Sequence, residues 1–173
     1  MSLNSNPCID QLTDLEYLEH MIPHHQVAVD MSNLLIPKTN DPFILHLCRD
    51  IIRKQEYEIW EMTLMKNAIS ETIVSNETSQ KNNLTTILDI NYPIKSKSKD
   101  GDCNPLFFKP DEHAHHMTHM EVTPKSYLEH MIPHHQVAVD ISYLLQEKTK
   151  NPDMQDILRK LIWVQNYEIK LMK

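Results

Sequence analysis

The chain has 173 residues and a formal net charge of -7 at pH 7, and its apolar residues, 40% of the total, suffice for a hydrophobic core. The negative charge argues against a nucleic-acid partner, and no apolar run approaches the ~18 residues that a membrane-spanning helix needs. There is one glycine, Gly101, which excludes the glycine-rich loops of nucleotide-binding folds and favours an all-α protein.

The amino-terminal residues and the cysteines indicate where the protein resides and which kinds of site it lacks. The segment Met1–Cys8 lacks the basic patch and apolar stretch of a signal peptide, so we expect a soluble intracellular protein of unspecified compartment. The cysteines, Cys8, Cys48 and Cys103, are odd in number and widely spaced. They predict neither a disulfide framework nor a C-x-x-C zinc motif.

The first predicted unit is a helical hairpin over residues 13–67. Thr13 or Asp14 can cap a first helix that runs to about Ile36, and a turn ends at Pro42, which suits the first position of the second helix. That second helix is predicted to run into the sixties. Pro23 either kinks the first helix or begins it, and the apolar residues that precede it favour the kink.

Helical periodicity predicts which side chains face the core of this hairpin. At 100° per residue the stripes comprise Tyr17, Met21, His24, Ala28, Met31 and Leu35 on the first helix, and Ile44, Cys48, Ile51, Ile52, Gln55, Glu58, Ile59 and Met62 on the second. Buried polar groups are costly unless they are paired. We therefore expect His24 to face Gln55 or Glu58, and in the second copy we expect His134 to face Gln165 or Glu168.

Residues 68–122 form the predicted linker between two hairpins. Near its end lies a cluster rich in histidine and methionine, a composition typical of metal sites: His113, His115, His116, Met117, His119 and Met120. The alternative is a solvated linker that binds no metal.

The second unit, residues 123–173, repeats the first. Residues 17–63 align without a gap to residues 127–173 with 27 identities in 47 positions, and EHMIPHHQVAVD recurs unchanged at Glu19–Asp30 and Glu129–Asp140. Its helices are predicted at Pro124–Gln146 and from Pro152 to about Lys173. Neither amphipathic hairpin can bury its apolar face alone, so the two should pack as one four-helix bundle with pseudo-two-fold symmetry.

The duplicated stretch also carries candidate metal ligands. Each copy places three histidines and a methionine on one arc of the helix, which predicts two similar sites: His20, Met21, His24 and His25, and His130, Met131, His134 and His135. Imidazole with thioether favours copper, especially Cu(I), whereas zinc or nickel would use the histidines and not the sulfur. Zinc or iron is the alternative to copper. Further ligands, or partners that orient the histidines, are Gln55, Glu58, Met62, Gln165, Glu168 and Met172.

The pattern Met21-Ile-Pro-His-His-x-x-Ala28-x-x-Met31, followed by Gln55-x-x-Glu58-Ile59-x-x-Met62, resembles the family called domain of unknown function 305. That resemblance implies a ferritin-like four-helix bundle and a metal-handling role, since some members are linked to copper. The second copy has Ile141 in place of Met31, so its site would lack one sulfur ligand.

Three functions remain open at this point. The first is a copper-binding protein, not an enzyme, that sequesters or transfers the ion and that either stays monomeric or forms a homo-oligomer. The second is a structural or interaction bundle whose histidines pair with Glu and Gln and bind no metal. The third is a ferritin-like di-metal oxidase, which is disfavoured because neither repeat contains a Glu-x-x-His pair.

Overall fold

A computed structural model of the protein describes residues 13–79 and 122–173, which form four α-helices. Helix α1 spans Asp14–Leu35 and is followed by a 3-10 turn at Ile36–Lys38, and α2 spans Pro42–Ser79. Helix α3 spans Pro124–Gln146 and α4 spans Pro152–Met172. The described residues contain no strand, so the all-α prediction is confirmed.

Side-chain caps explain where the helices begin. The Thr13 hydroxyl accepts a hydrogen bond from the Glu16 amide at 3.1 Å, and the Glu16 carboxylate accepts one from the Thr13 amide at 2.8 Å, which completes a capping box. Thr123 and Ser126 form the same reciprocal pair before α3. The Asn151 side chain caps α4. Thr13, not Asp14, is therefore the cap of the first helix.

The end of α2 differs from the prediction, and the start of α1 decides between the two alternatives for Pro23. Helix α2 continues past Asn67, where the first hairpin was expected to end, and reaches Ser79, because no proline or glycine interrupts it there. Pro23 and Pro133 lie inside α1 and α3. The capping box at Thr13 shows that α1 begins well before Pro23, so the proline does not start the helix.

The helices pack as one bundle with two repeated halves. Helix α1 lies against α2 and α3 against α4, and the halves meet through α1 with α3 and through α2 with α4. The predicted contact between the repeats is confirmed. Tyr17 bonds to Ser142, and the repeat-equivalent Tyr127 bonds to Ser32, as pseudo-two-fold symmetry requires. No helix in the described part of the chain is long and apolar enough to cross a bilayer.

The predicted apolar stripes form the core. Both helix stripes of the first hairpin are buried except for Ile52 and Ile59, which are half-buried. Met21 and Met62 belong to one apolar cluster, and Met131 and Met172 belong to a second. Cys48 is buried in the second cluster, as its position in the stripe predicted. The polar residues of the stripes therefore lie between two apolar layers.

Candidate metal centre

The histidines of the two copies meet at the centre of the bundle. The rings of His24 and His134 stack with centroids 3.5 Å apart and an interplanar angle of 14°. They are equivalent residues of the two repeats, so their contact lies on the pseudo-two-fold axis that relates the halves. The sequence predicted two sites, one per hairpin, whereas the folded chain joins both copies into one polar centre.

His25 and His135 flank the stacked pair. Their rings lie with centroids 6.0 Å from those of His24 and His134, respectively. His25 Nε2 lies 3.0 Å from Glu58 Oε2, and His135 Nε2 lies 2.9 Å from the repeat-equivalent Glu168 Oε2. The sequence predicted that His24 and His134 would face either these glutamates or the glutamines three residues before them. That prediction was wrong by one residue, or about 100° of rotation, because packing of each hairpin turns the second histidine of the motif toward the glutamate.

The glutamates determine which ring nitrogen can bind a ligand. An ionised carboxylate can only accept hydrogen bonds, so Nε2 of His25 and of His135 carries the proton and donates it. A ring that is protonated only at Nε2 keeps a lone pair on Nδ1. Both Nδ1 atoms are buried and have no hydrogen-bond partner within the described chain. A histidine that donates one N–H to a carboxylate and presents its other nitrogen is the usual form of a metal ligand.

Two glutamines complete the polar layer, and they are not equivalent. Gln55 Nε2 lies 3.4 Å from His135 Nε2, so it contacts the histidine of the other repeat. Gln165 is buried, and neither its amide nitrogen nor its amide oxygen has a hydrogen-bond partner among the described residues. A buried amide with no partner is rare in proteins and is usually explained by a bound water, ion or ligand.

The remaining members of the motif lie on either side of this polar layer. His20 and His130 are only partly buried, and the ring of His130 lies 5.7 Å from that of His134. Burial lowers the pKa of His20, although the nearby charges of Glu19 and Glu16 act in the opposite direction. A lowered pKa keeps the imidazole neutral, which is the form that binds metals.

The methionines of the motif are core residues by position. Met21 and Met131 are fully buried and lie one helical turn before His25 and His135, at the i, i+4 spacing that makes side chains neighbours on a helix. Met62 and Met172 are likewise buried, one turn beyond the two glutamates. Ile141 is buried where the first copy has Met31. Thioethers in these positions can pack and can also bind a soft metal.

Nitrogen and oxygen ligands alone do not form a complete site. Among residues 13–72 and 122–173, no three side chains from His, Cys, Asp and Glu are placed to hold a metal ion together. A site built from one or two imidazoles would therefore need the methionine sulfurs as further ligands. The cluster at His113–Met120 lies outside the described residues.

The fold also brings in one residue that the motif did not predict. Lys54 Nζ lies 3.4 Å from Glu168 Oε1, across the interface between the repeats. Its repeat-equivalent position holds Val164, so the alignment of the two copies already marks this position as different. Nothing in one copy alone indicates that the lysine of the first repeat would reach the glutamate of the second.

Comparison with known proteins relates the chain to a family. The family model described as domain of unknown function (DUF305) matches residues 14–173. A stretch of 51 residues is 47% identical to an uncharacterised protein of Acanthamoeba polyphaga mimivirus, and it covers 30% of this chain and 34% of that protein. The chain thus spans about a third of the length of the curated relative that it matches.

Solved structures extend the similarity over nearly the whole chain. The Cu(I)-bound form of CopM is 28% identical, with a TM-score of 0.63 and 94% of each chain covered. Its Cu(II)-bound form gives a TM-score of 0.59 over the same shares. A DUF305 fragment from Deinococcus radiodurans is 19% identical, covers 92% of this chain and 91% of its own, and supports the fold with a TM-score of 0.56. The chain belongs to the DUF305 family.

Proposed function

We propose that this protein binds copper as Cu(I) and sequesters or transfers it. One observation carries the proposal: His25 and His135 each donate Nε2–H to a buried glutamate and present an unpartnered Nδ1 inside the bundle. This is the hydrogen-bonding pattern that orients metal-binding imidazoles. The similarity to CopM, solved with Cu(I), Cu(II) and silver, supports copper as the metal.

The proposed ligands are soft enough to distinguish Cu(I) from harder ions. Each half-site consists of a histidine and the methionine one turn before it: His25 with Met21, and His135 with Met131. Thioether sulfur selects Cu(I), and imidazole suits copper as well as zinc. Cu(I) in such a half-site lies in a largely apolar surrounding, because both methionines are fully buried.

The other histidines connect these half-sites to each other and to the surface. His24 and His134 lie in ring contact between the two halves, so either can contribute a nitrogen to an ion held there. His20 and His130, which are partly exposed, provide a route from solvent to the buried centre. The cluster at His113–Met120 would capture copper outside the bundle, which is a separate part of the proposal.

Competition titration of the metal-free protein with Cu(I) and a chelator tests the proposal. We compare the wild-type chain with a full-length chain whose linker histidines and methionines, residues 113–120, are replaced by glutamine and leucine. The linker-substituted chain should still bind Cu(I) with high affinity. Adding the His25→Gln, His135→Gln double substitution to that chain should remove most of this binding. If the linker-substituted chain holds no copper, the bundle is not the copper site.

A structural role is the second candidate, and the two His–Glu hydrogen bonds favour it. Buried polar pairs can stabilise a core without binding anything, and the described His, Cys, Asp and Glu residues form no group that could hold an ion alone. Thermal unfolding with and without Cu(I) separates the candidates. A ligand that binds only the folded state raises its stability, whereas a purely structural centre leaves the midpoint unchanged.

Metal analysis of protein purified without a histidine tag tests the third candidate function, a di-metal oxidase. Copper near stoichiometry supports the proposal. Two iron or manganese ions per chain would instead support a di-metal oxidase, in which Glu58 and Glu168 would be ligands.

A further inference from the structure

The two half-sites have identical histidines and glutamates but different electrostatic surroundings. In the second half, the Glu168 carboxylate is shared between His135 Nε2 at 2.9 Å and Lys54 Nζ at 3.4 Å. In the first half, Glu58 pairs with His25 at 3.0 Å, and no lysine or arginine among residues 13–72 and 122–173 forms an ion pair with it. Val164 occupies the position equivalent to that of Lys54.

Lys54 is held in place and stays charged. Its ammonium group also pairs with Asp50 Oδ2 at 3.1 Å and lies 5.4 Å from the centroid of the Tyr167 ring. Burial alone would lower the pKa of Lys54, but the hydrogen bond to Asp50 and the charges of Glu168 and Asp50 outweigh it and raise the pKa. A fixed positive charge therefore lies beside one glutamate of the pair.

This charge weakens the second half-site in two ways. A carboxylate makes the histidine that it bonds to a better metal ligand, and an ammonium group that neutralises the carboxylate reduces this effect. The ammonium also repels a bound cation directly. At a separation of about 10 Å and an effective dielectric constant of about 20, two unit charges repel enough to change a dissociation constant roughly tenfold.

The hydrogen-bond partners of the two glutamines also favour metal binding in the first half-site over the second. Gln55 Nε2 lies 3.4 Å from His135 Nε2, which also bonds to Glu168, so the second histidine has two polar side chains beside it. Gln165 is the repeat-equivalent of Gln55, so the pseudo-symmetry relates it to the first half, and neither of its amide atoms has a hydrogen-bond partner among the described residues. The first half thus keeps a buried polar group that is available to a bound ion or its water.

We propose that the duplicated centre is unequal, with the His25 half-site loading copper first and Lys54 acting as the residue that lowers the affinity of the His135 half-site. This inference rests on the proposed copper binding. The two repeats carry the same motif, and of the positions that differ outside it, Lys54 against Val164 is the one that separates their affinities. A chain with one tight and one weaker site can hold one ion while it exchanges the other.

Reciprocal substitutions at the two equivalent positions test the inference. The background is the full-length chain with the linker residues 113–120 replaced as above. Lys54→Val gives the second half the surroundings of the first, and Val164→Lys does the opposite. Lys160→Val is the matched control, because Lys160 also joins α4 to α2 through Glu61 at 3.0 Å but contacts none of the histidines.

The readouts are stepwise Cu(I) dissociation constants and the nitrogen NMR signals of the imidazoles, assigned with His25→Gln and His135→Gln. The parent chain should show two constants about tenfold apart, with His25 perturbed first. Lys54→Val should tighten the second constant about tenfold, and Val164→Lys should weaken the first by a similar factor. The double substitution should reverse the order, so that His135 is perturbed first, while Lys160→Val should change nothing.

Two kinds of failure are distinguishable. Loss of all copper binding in the parent chain would overturn both the proposed function and this inference. Two bound ions with constants that neither Lys54→Val nor Val164→Lys changes, or His135 loading first in the parent chain, would overturn this inference alone and leave copper binding intact.

Discussion

The hydroxyl oxygens of Tyr17 and Ser142 lie 2.7 Å apart, and those of Tyr127 and Ser32 repeat this distance across the pseudo-two-fold axis. Each serine also lies 2.7 Å from a main-chain oxygen one turn earlier on its own helix, Ala138 or Ala28, to which it donates. A hydroxyl has one proton, so each tyrosine must donate to its serine. The two repeats are therefore joined by two equivalent hydrogen bonds, one on either side of the histidines, in each of which a tyrosine donates to a serine of the other repeat.

Removing one of these bonds should weaken the bundle measurably. Tyr17→Phe should lower the free energy of unfolding by about 1 kcal/mol, because the buried Ser142 oxygen keeps its carbonyl partner but loses a donor. Urea unfolding of metal-free protein measures the change. In a double-mutant cycle with Ser142→Ala, the two substitutions should be strongly non-additive. Additive effects would mean that the hydroxyl groups do not interact in solution.

The same tyrosines predict how stability depends on alkaline pH. Burial raises the pKa of both Tyr17 and Tyr127. Above about pH 10 the unfolded chain releases these protons while the folded chain retains them, so the folded state binds more protons and its stability falls as pH rises. Each tyrosine contributes a slope of up to about 1.4 kcal/mol per pH unit.

Unfolding by urea between about pH 9 and about pH 11 measures that slope. Lys54 and Lys160 also have a raised pKa and act in the same direction, so the total slope does not isolate the tyrosines. Tyr17→Phe removes one titrating group, so it should reduce the slope by up to about 1.4 kcal/mol per pH unit. An unchanged slope in that variant would show that Tyr17 titrates normally in the folded protein.

The glutamates should matter for stability even without metal. Glu58→Ala should destabilise the metal-free protein by roughly 3 kcal/mol, since it leaves the buried Nε2–H of His25 without an acceptor. Glu168→Ala should cost a similar amount. Glu56→Ala, an exposed glutamate on the same helix, is the control and should change stability by less than about 0.5 kcal/mol. Chemical denaturation would contradict the pairing if Glu58→Ala behaved like this control.

Methionine substitution separates a soft-metal ligand from a packing residue. Met21→Leu and Met131→Leu should each weaken Cu(I) binding about tenfold and leave zinc binding unchanged, because thioether sulfur contributes only to soft ions. The exchange nearly conserves volume, so stability should change by less than about 1.5 kcal/mol. Met154→Leu, at a fully buried position outside the motif, is the control. Unchanged Cu(I) affinity in both motif variants would assign Met21 and Met131 to packing alone.

Local patterns in the sequence were sufficient for much of the fold. The gapless repeat, the capping residues and the 3.6-residue periodicity predicted four helices, the contact between the repeats and the burial of His24, Gln55 and Glu58. These features depend on neighbours along the chain, which is why they can be inferred from it. The end of α2 could not be placed in this way, because the residues after Asn67 contain no strong stop signal until well past Ser79.

Which histidine meets which glutamate was decided only by tertiary structure. The motif places His24 and His25 about 100° apart on a helix, and either could have faced α2. Packing of four helices directs His25 and His135 to the glutamates and brings His24 and His134 into contact on the axis. Lys54 reaches Glu168 for the same reason: residues 114 positions apart in the chain become neighbours only when two apolar faces are buried together.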